Sequence, residues 1–324
     1  MSTIDTIKAP IINEMNQFEV QFKASMKRNI RLLNIVTNFI LRRKGKQMRP
    51  MLVFLTARML GDITKHTYTA ASLIELLHTA TLVHDDVVDE SYERRGFFSI
   101  NALWKSKVAV LLGDYLLAQG LLLSVDNDAF DLLRIVSEAV KEMSEGELLQ
   151  IQKSRRLNIT HDQYFEIIRK KTATLIAACT ACGAKSVDAS KEDIAKMKEF
   201  GECLGIAFQI KDDLFDYQYD AKTGKPSGND IKEKKFTLPL IYALANTNTL
   251  QRRKIINTIR LHHKNKKKVE EVIKFVKSSG GIDFATEKMN EYKQKALDIL
   301  TSFPENDARN SLQNLVEYTT NRKK

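Results

Sequence analysis

The stretch LLHTATLVHDDVVDESYERRG, residues 76–96, decides the reading of this chain. At its centre are Asp85, Asp86 and Asp89, a D-D-x-x-D. On a helix, positions 85 and 89 stand one turn apart on a shared face. Carboxylates that close repel one another unless a cation holds them. Oxygen ligands of high charge suit a hard ion such as Mg²⁺, which completes its shell with water and substrate phosphate. The apolar run LLHTATLVH leads straight into the acids, so the helix is expected to be buried rather than a solvated acidic face. Burying three carboxylates without a partner is very costly. Arg94 and Arg95 follow, a pair suited to bidentate phosphate binding.

The spacing recurs. FQIKDDLFDYQYD, residues 208–220, sets Asp212, Asp213 and Asp216 in the same pattern after another apolar run. Carboxylates projecting inward from facing helices are one way for a helical bundle to build a metal site. Two such motifs suit several Mg²⁺ ions and one diphosphate.

The rest of the chain reads as an all-α protein. Its 324 residues hold 5 prolines, none between Met51 and Lys225, and no Asn-Gly or Asp-Gly turn. Apolar patterns of helical period run through it. Residues 5–40 read as an amphipathic helix, and Pro50 as a permitted start for the next. Tyr68 to Arg94 should form the first acidic helix, closed by Gly96. Residues 101–125 are almost wholly apolar and are expected to form a central helix of the bundle. Further helices are expected over 128–153, 161–184 and 196–220. TGKPSGND, residues 223–230, is the clearest loop and carries Lys225. No domain boundary shows, so residues 1–324 are read as one domain.

The net charge of +11 admits nucleic acid, an anionic membrane or a phosphorylated substrate. Arg42, Arg43, Lys44, Lys46 and Arg49 cluster before the first buried helix, which fits an anionic small substrate. Lys264, Lys266, Lys267 and Lys268 read as a solvated loop or helix face. A nucleic-acid-binding module would need exposed aromatics among its basic residues, and the basic linker has none. Cys179 and Cys182 form a C-x-x-C inside an alanine-rich helical run, so with Cys203 they read as small core residues. Low cysteine use, no apolar signal core and no uncharged run of membrane-spanning length together point to the cytoplasm.

Six segments, in order, resemble the trans-isoprenyl diphosphate synthases. They are GKQMRP (45–50), LVHDDVVDESYERRG (82–96), GDYLLA (113–118), KKTATL (170–175), QIKDDLFD (209–216) and GKPSGNDIKEKKFTLP (224–239). The resemblance implies a helical bundle around a deep cavity. It also implies head-to-tail condensation of isopentenyl diphosphate onto an allylic diphosphate, with three Mg²⁺ ions per active site and a homodimer. On that resemblance Asp85, Asp89 and Asp212 bind Mg²⁺ directly, while Asp86, Asp213 and Asp216 support it directly or through water. Arg94, Lys171, Lys225 and Lys235 would hold the allylic diphosphate. Lys46, Arg49, His78 and Arg95 would bind isopentenyl diphosphate, and His78 lies two turns before Asp85 on the same helical face. Thr172 and Gln209 supply oxygen dipoles for the allylic cation. The released diphosphate can accept the final proton, and water must be kept out.

Chain length is read from the helix preceding Asp85. Thr81 lies about 40° from Asp85, Leu77 about 80° and Ile74 about 20°; Ala80 enters the pocket wall by resemblance alone. Ala80 and Thr81 are small where short-chain members of the family carry bulky aromatics. The expected product is therefore about six to eight isoprene units by helix pitch, C30–C40, of the kind used for quinone side chains. Release of such a product implies transient contact with a membrane. The alternatives are a short-chain farnesyl or geranylgeranyl diphosphate synthase, a terpene cyclase and a non-catalytic synthase subunit. The intact second D-D-x-x-D, with Lys46 and Arg49, argues against the last two.

Overall fold

A computed structural model describes residues 3–26, 29–42, 45–89, 92–94, 97–156, 159–218 and 228–322, with backbone only at 3, 93, 94, 97, 155 and 156. The described residues are mainly α-helical. In order, the helices are α1 (Thr3–Lys8), α2 (Ile12–Ser25), α3 (Arg31–Arg42), α4 (Met48–Leu60), α5 (Lys65–Val88), α6 (Ile100–Val125), α7 (Phe130–Arg156) and α8 (His161–Ile168). Then come α9 (Thr174–Lys185), α10 (Lys191–Phe215), α11 (Asn229–Lys232), α12 (Leu238–Ala245), α13 (Thr249–His262), α14 (Lys266–Ser278), α15 (Gly281–Thr301) and α16 (Asp307–Asn321). Among the described residues, the one strand pairing joins β1 (Glu93–Arg94) to β2 (Phe97–Phe98), antiparallel.

Packing divides the chain into two compact units. One comprises Met1–Val140, Ala178–Lys198 and Pro304–Leu312; the other comprises Lys141–Ala177, Glu199–Phe303 and Gln313–Lys324.

In the first unit α4 is buried on nearly every side, as an all-round apolar helix must be. It begins at Met48, two residues before the expected Pro50. Proline is tolerated there because the first N–H groups of a helix have no intrahelical partner. Thr64 caps α5: its hydroxyl accepts from the His66 N–H, while the Thr67 hydroxyl accepts from the Thr64 N–H. Thr67 also bonds Ser186 at 2.8 Å, fixing the start of α5. The buried face of α5 includes Leu73, Ile74, Leu76, Leu77, Ala80 and Val83. It packs against α6 at two glycines seven residues apart. A Cβ at Gly113 would fall 2.1 Å from His84 Nε2, and one at Gly120 would fall 3.2 Å from Leu73 Cδ1.

Four expectations change. The single N-terminal helix is broken into α1, a 3₁₀ turn over Ala9–Ile11, α2 and α3; Pro10 cannot donate the hydrogen bond that would carry α1 onward. The first acidic helix stops at Val88, and Glu93–Arg94 enter the strand pairing instead. Gly96, its expected stop, lies outside the described residues. The expected helix over 196–220 ends at Phe215. Finally, α6 is not enclosed. It packs on α5 along one side, whereas Leu103, Leu111, Leu117, Leu121 and Leu122 remain exposed. Among the described residues, α6 alone is long and apolar enough to cross a membrane, and 33% of its most apolar window is buried.

The second unit is built on a core from α8, α10, α12, α13, α14 and α15, centred on residues such as Ile206, Ile210, Leu238, Leu240, Val272 and Val276. Tyr242 stacks on Phe284 at 4.3 Å between centroids, and Phe284 on His161 at 5.3 Å. These contacts hold α8, α12 and α15 together. Ile206, Ala207, Ile210 and Leu214 of α10 belong to this core, and Asp213 and Asp216 at its acidic end are buried with them.

Candidate active site

The first acidic motif finishes α5. Asp85 and Asp86 occupy its last turn, and the Asp89 N–H donates to the Asp85 carbonyl at 2.8 Å. This is the unfavourable end for carboxylates, because the carbonyls of a helix C-terminus already carry partial negative charge. No basic side chain lies in that turn. Burial is graded rather than uniform, contrary to the expectation of three buried acids: Asp86 is buried, Asp85 half-buried and Asp89 exposed. The helix ends as its acids reach solvent. In the same unit, Lys46 is exposed just before α4, Arg49 is half-buried in its first turn, and His78 is half-buried on α5. Ile74, Leu77 and Ala80 are packed in the core, whereas Thr81 is half-buried and its hydroxyl donates to the His78 carbonyl at 2.9 Å.

The second motif ends α10 in the same way. Asp212 and Asp213 lie in the last turn, and Asp216 follows it. Each carboxylate has its own partner. Arg322 pairs with Asp212, and its guanidinium lies 4.3 Å from the Phe208 ring and 5.3 Å from Phe215. Both Asp213 oxygens are occupied: the Tyr164 hydroxyl donates to one at 2.7 Å and Gln209 Nε2 to the other at 2.9 Å. Asp216 accepts the Asp230 N–H. Burial pushes the Asp213 carboxyl up to about 7, against the lowering pull of its Tyr164 and Gln209 hydrogen bonds. Burial also raises Asp212, with Arg322 opposing. Asp230 is raised by burial and by the charges of Asp216 and Asp213.

Thr172 and Gln209 are joined as well. The Thr172 hydroxyl donates to Gln209 Oε1 at 2.9 Å, so Thr172, Gln209, Asp213 and Tyr164 form one chain of hydrogen bonds. Thr172 and Lys171 sit on a π-helical segment, Arg169–Ala173, in which the Thr174 N–H reaches back to the Arg169 carbonyl. Such wide turns recur at functional sites. Two glycines grip this one. A Cβ at Gly146 would fall 2.8 Å from the Lys171 nitrogen, and one at Gly205 would fall 2.5 Å from Ala173 Cα. Glutamates of α7 hold its cations: Glu142 pairs with Arg169, Glu145 with Lys170 and Glu147 with Lys171. Lys235 pairs with Glu233 at 2.6 Å. A cavity of about 150 Å³ opens here, and Lys171, Thr172, Gln209, Asp213, Asp230 and Lys235 are among its lining residues.

Lys225, Arg95 and Lys44 lie outside the described residues, as does the Arg94 side chain. Sequence reasoning gave no role to four residues found here: Tyr164, Asp230, Arg322 and Glu147, the last read only as a polar insertion in its helix. Asp230 stands inside the quoted GKPSGNDIKEKKFTLP segment and could have been picked out as its acid. Nothing in the local sequence marks Tyr164 or Arg322.

Among the described residues, no three Asp, Glu, His or Cys side chains converge into a ready-made metal cage. The carboxylates of the two motifs suit an ion that takes one or two of them and completes its shell with water and phosphate. The donors are all oxygen, which fits Mg²⁺ and not a soft metal. The three cysteines are buried, and burial raises Cys179 to about 12, as an inert core thiol requires.

The polyprenyl synthetase family model matches residues 30–276. The chain belongs to that family. It is therefore a prenyltransferase, as the resemblance implied. An all-trans-nonaprenyl-diphosphate synthase (geranyl-diphosphate specific) of Rhodobacter capsulatus is 38% identical over 318 residues, covering 98% of this chain and 97% of its own. A crystal structure of a polyprenyl synthase from Caulobacter crescentus CB15, complexed with calcium and isoprenyl diphosphate, is similar at TM-score 0.90 and 31% identity, covering 98% of each chain. A geranylgeranyl pyrophosphate synthase from Bacteroides thetaiotaomicron is 39% identical at TM-score 0.85, covering 99% of this chain and 100% of its own. The nonaprenyl and geranylgeranyl enzymes are almost equally similar to this polyprenyl synthetase. Product length must therefore be argued from particular residues.

Proposed function

We propose that this prenyltransferase condenses isopentenyl diphosphate head-to-tail onto an allylic diphosphate, with Mg²⁺, to give an all-trans product of about C30–C40 by the helix-pitch argument. The observation that carries the reading is the doubled aspartate motif, each copy ending a helix at the terminus whose partial negative charge disfavours carboxylates. Bound Mg²⁺, three ions per active site, supplies charge neutralisation for the diphosphate as it leaves. Asp85, Asp89 and Asp212 are the direct ligands, and Asp86 and Asp216 support them. Asp213 supports them too, and its hydrogen bonds orient Gln209. Gln209 and Thr172 then present fixed oxygen dipoles to the developing allylic cation, a preorganised charge stabilisation. Lys171, Lys235, Lys225 and Arg94 bind the allylic diphosphate; the two described lysines exchange Glu147 and Glu233 for phosphate oxygen. Lys46, Arg49, His78 and Arg95 bind isopentenyl diphosphate. The released diphosphate takes the proton.

The whole chain acts as one catalytic domain, in the cytoplasm, as a homodimer whose product serves quinone side chains and leaves through brief contact with a membrane. A shorter product is the second reading, favoured by the geranylgeranyl enzyme's 39% identity. Incubating the purified protein with isopentenyl diphosphate, an allylic primer and Mg²⁺, then separating products by length, tests both. Products of C30–C40 support the first reading and C15–C20 the second. No product refutes either.

A further inference from the structure

The positive charge is concentrated. Residues 249–278, which span α13 and α14, hold ten Lys or Arg against two Glu, a net +8 where the whole chain carries +11. Helix α13 contains no carboxylate at all, so its cations have no partner on their own helix. Its inner face is Ile255 and Ile259, both buried. On its outer face Leu250 and Leu261 are 82% and 68% exposed. By helical spacing these leucines point within about 20° of each other, roughly 16 Å apart along the axis. Lys254 lies about 40° from Leu250, with Arg253 and Arg260 about 60° to 80° on the other side; all three are exposed. The first turn of α14 adds Lys266, Lys267 and Lys268, at the end of a helix where cations lower its stability. Lys268 pairs with Glu271 on its own helix at 2.9 Å, a contact that supports the helix; helix formation accounts for neither Lys266 nor Lys267. The turn between the helices is anchored where His263 Nδ1 bonds the Lys232 carbonyl at 2.6 Å, so the hairpin is held rather than loose.

We propose that the outer face of α13 docks on an anionic lipid bilayer. Leu250 and Leu261 enter the headgroup boundary, and Arg253, Lys254, Arg260 and the α14 lysines meet lipid phosphates. Exposed leucines flanked by cations supply both contributions to surface binding, apolar burial at the headgroup boundary and attraction to anionic lipid. Single-stranded nucleic acid calls instead for stacking aromatics, and no exposed aromatic lies in 249–278. The surface rests on the proposed polyprenyl product for its use, which is delivery of an apolar tail, but not for its occurrence.

The test is co-sedimentation of the full chain with vesicles of phosphatidylcholine, alone or mixed with phosphatidylglycerol. Binding is expected only to the mixed vesicles, and is expected to fall as salt rises. Each cation near such a surface strengthens binding about fivefold, so R253E/K254E/R260E should weaken it by about 100-fold or more. L250S/L261S should weaken it while keeping the salt dependence. Circular dichroism and prenyl turnover with water-soluble substrates should be unchanged in both variants. Wild-type protein left in the supernatant at low salt would overturn the proposal, as would equal binding to a single-stranded RNA. Vesicle binding without any prenyl product would sink the proposed function and leave this surface standing.

Discussion

The two acidic motifs share one spacing and differ in almost everything else. The first ends α5 with burial falling off from Asp86 to Asp89. The second ends α10 with Asp212, Asp213 and Asp216 each tied to a named group: Arg322, the Tyr164–Gln209 pair and the Asp230 N–H. A repeated sequence pattern thus does not mean a repeated role. In the first motif exposure rises from buried Asp86 through half-buried Asp85 to exposed Asp89. In the second, one carboxylate is counterbalanced by an arginine, and another serves as the anchor of a hydrogen-bond chain that fixes Gln209 and Thr172.

The sharpest way to break this comparison is to remove one acid from each copy. Asp85→Ala and Asp212→Ala should each cut turnover by about 10²–10³-fold or more, the scale of losing a group that stabilises developing charge. Far-ultraviolet circular dichroism should not change. Near-normal product formation by either would end the two-motif mechanism.

Lys46→Ala and Arg49→Ala should come next. Each removes a cation facing an anionic substrate and should raise the KM for isopentenyl diphosphate about 10- to 100-fold, with the allylic KM little changed. A rise confined to the allylic KM would show that the two diphosphate sites have been exchanged.

Asp213 sharpens the comparison through pH. Its folded-state pKa of about 7 lies above its unfolded value, so the folded chain holds a proton that the unfolded chain has released. Stability in chelator should therefore fall as pH rises from about 4 to 7, where Asp213 ionises in its buried site. Asp213→Asn cannot ionise. The wild-type-minus-variant difference in melting temperature should drift across that window, and a flat difference would mean that Asp213 is already charged throughout.

The smallest effect on rate should come from the tail. Thr81→Phe should shorten the product to about C15–C20 by filling one helical turn, with activity largely kept. Thr81 is half-buried, whereas Ala80 is 3% exposed within the core. Ala80→Phe therefore adds an overpacking cost of about 1–3 kcal/mol. An active Thr81→Phe enzyme with an unchanged product, seen by chromatography, would mean that the tail does not pass this part of α5.

Much of the helical scaffold could be read in advance because its period and its lack of turn signals are local properties. The acidic motifs were equally legible, since their chemistry lies in five consecutive positions. What escaped depends on distant chain. The stop at Val88 reflects acids crowding a helix C-terminus and a strand pairing that follows it. The exposed leucines of α6 look like core in any composition window, and only packing shows which side α5 covers. Tyr164 and Arg322 stand 49 and 110 residues from the aspartates they serve. The π segment is set by what presses on it, which no window around KKTATL contains.

That last feature reverses a common engineering rule. Replacing a helical glycine by alanine ordinarily stabilises a helix by roughly 1 kcal/mol, and designers of robust catalysts make the change freely. Gly146 and Gly205 are mid-helix glycines of this kind, yet a methyl group at either would strike the backbone that carries Lys171 and Thr172. A thermostability library that treats them as free positions would trade catalytic geometry for helix propensity. They belong with the aspartates among the positions to be held constant.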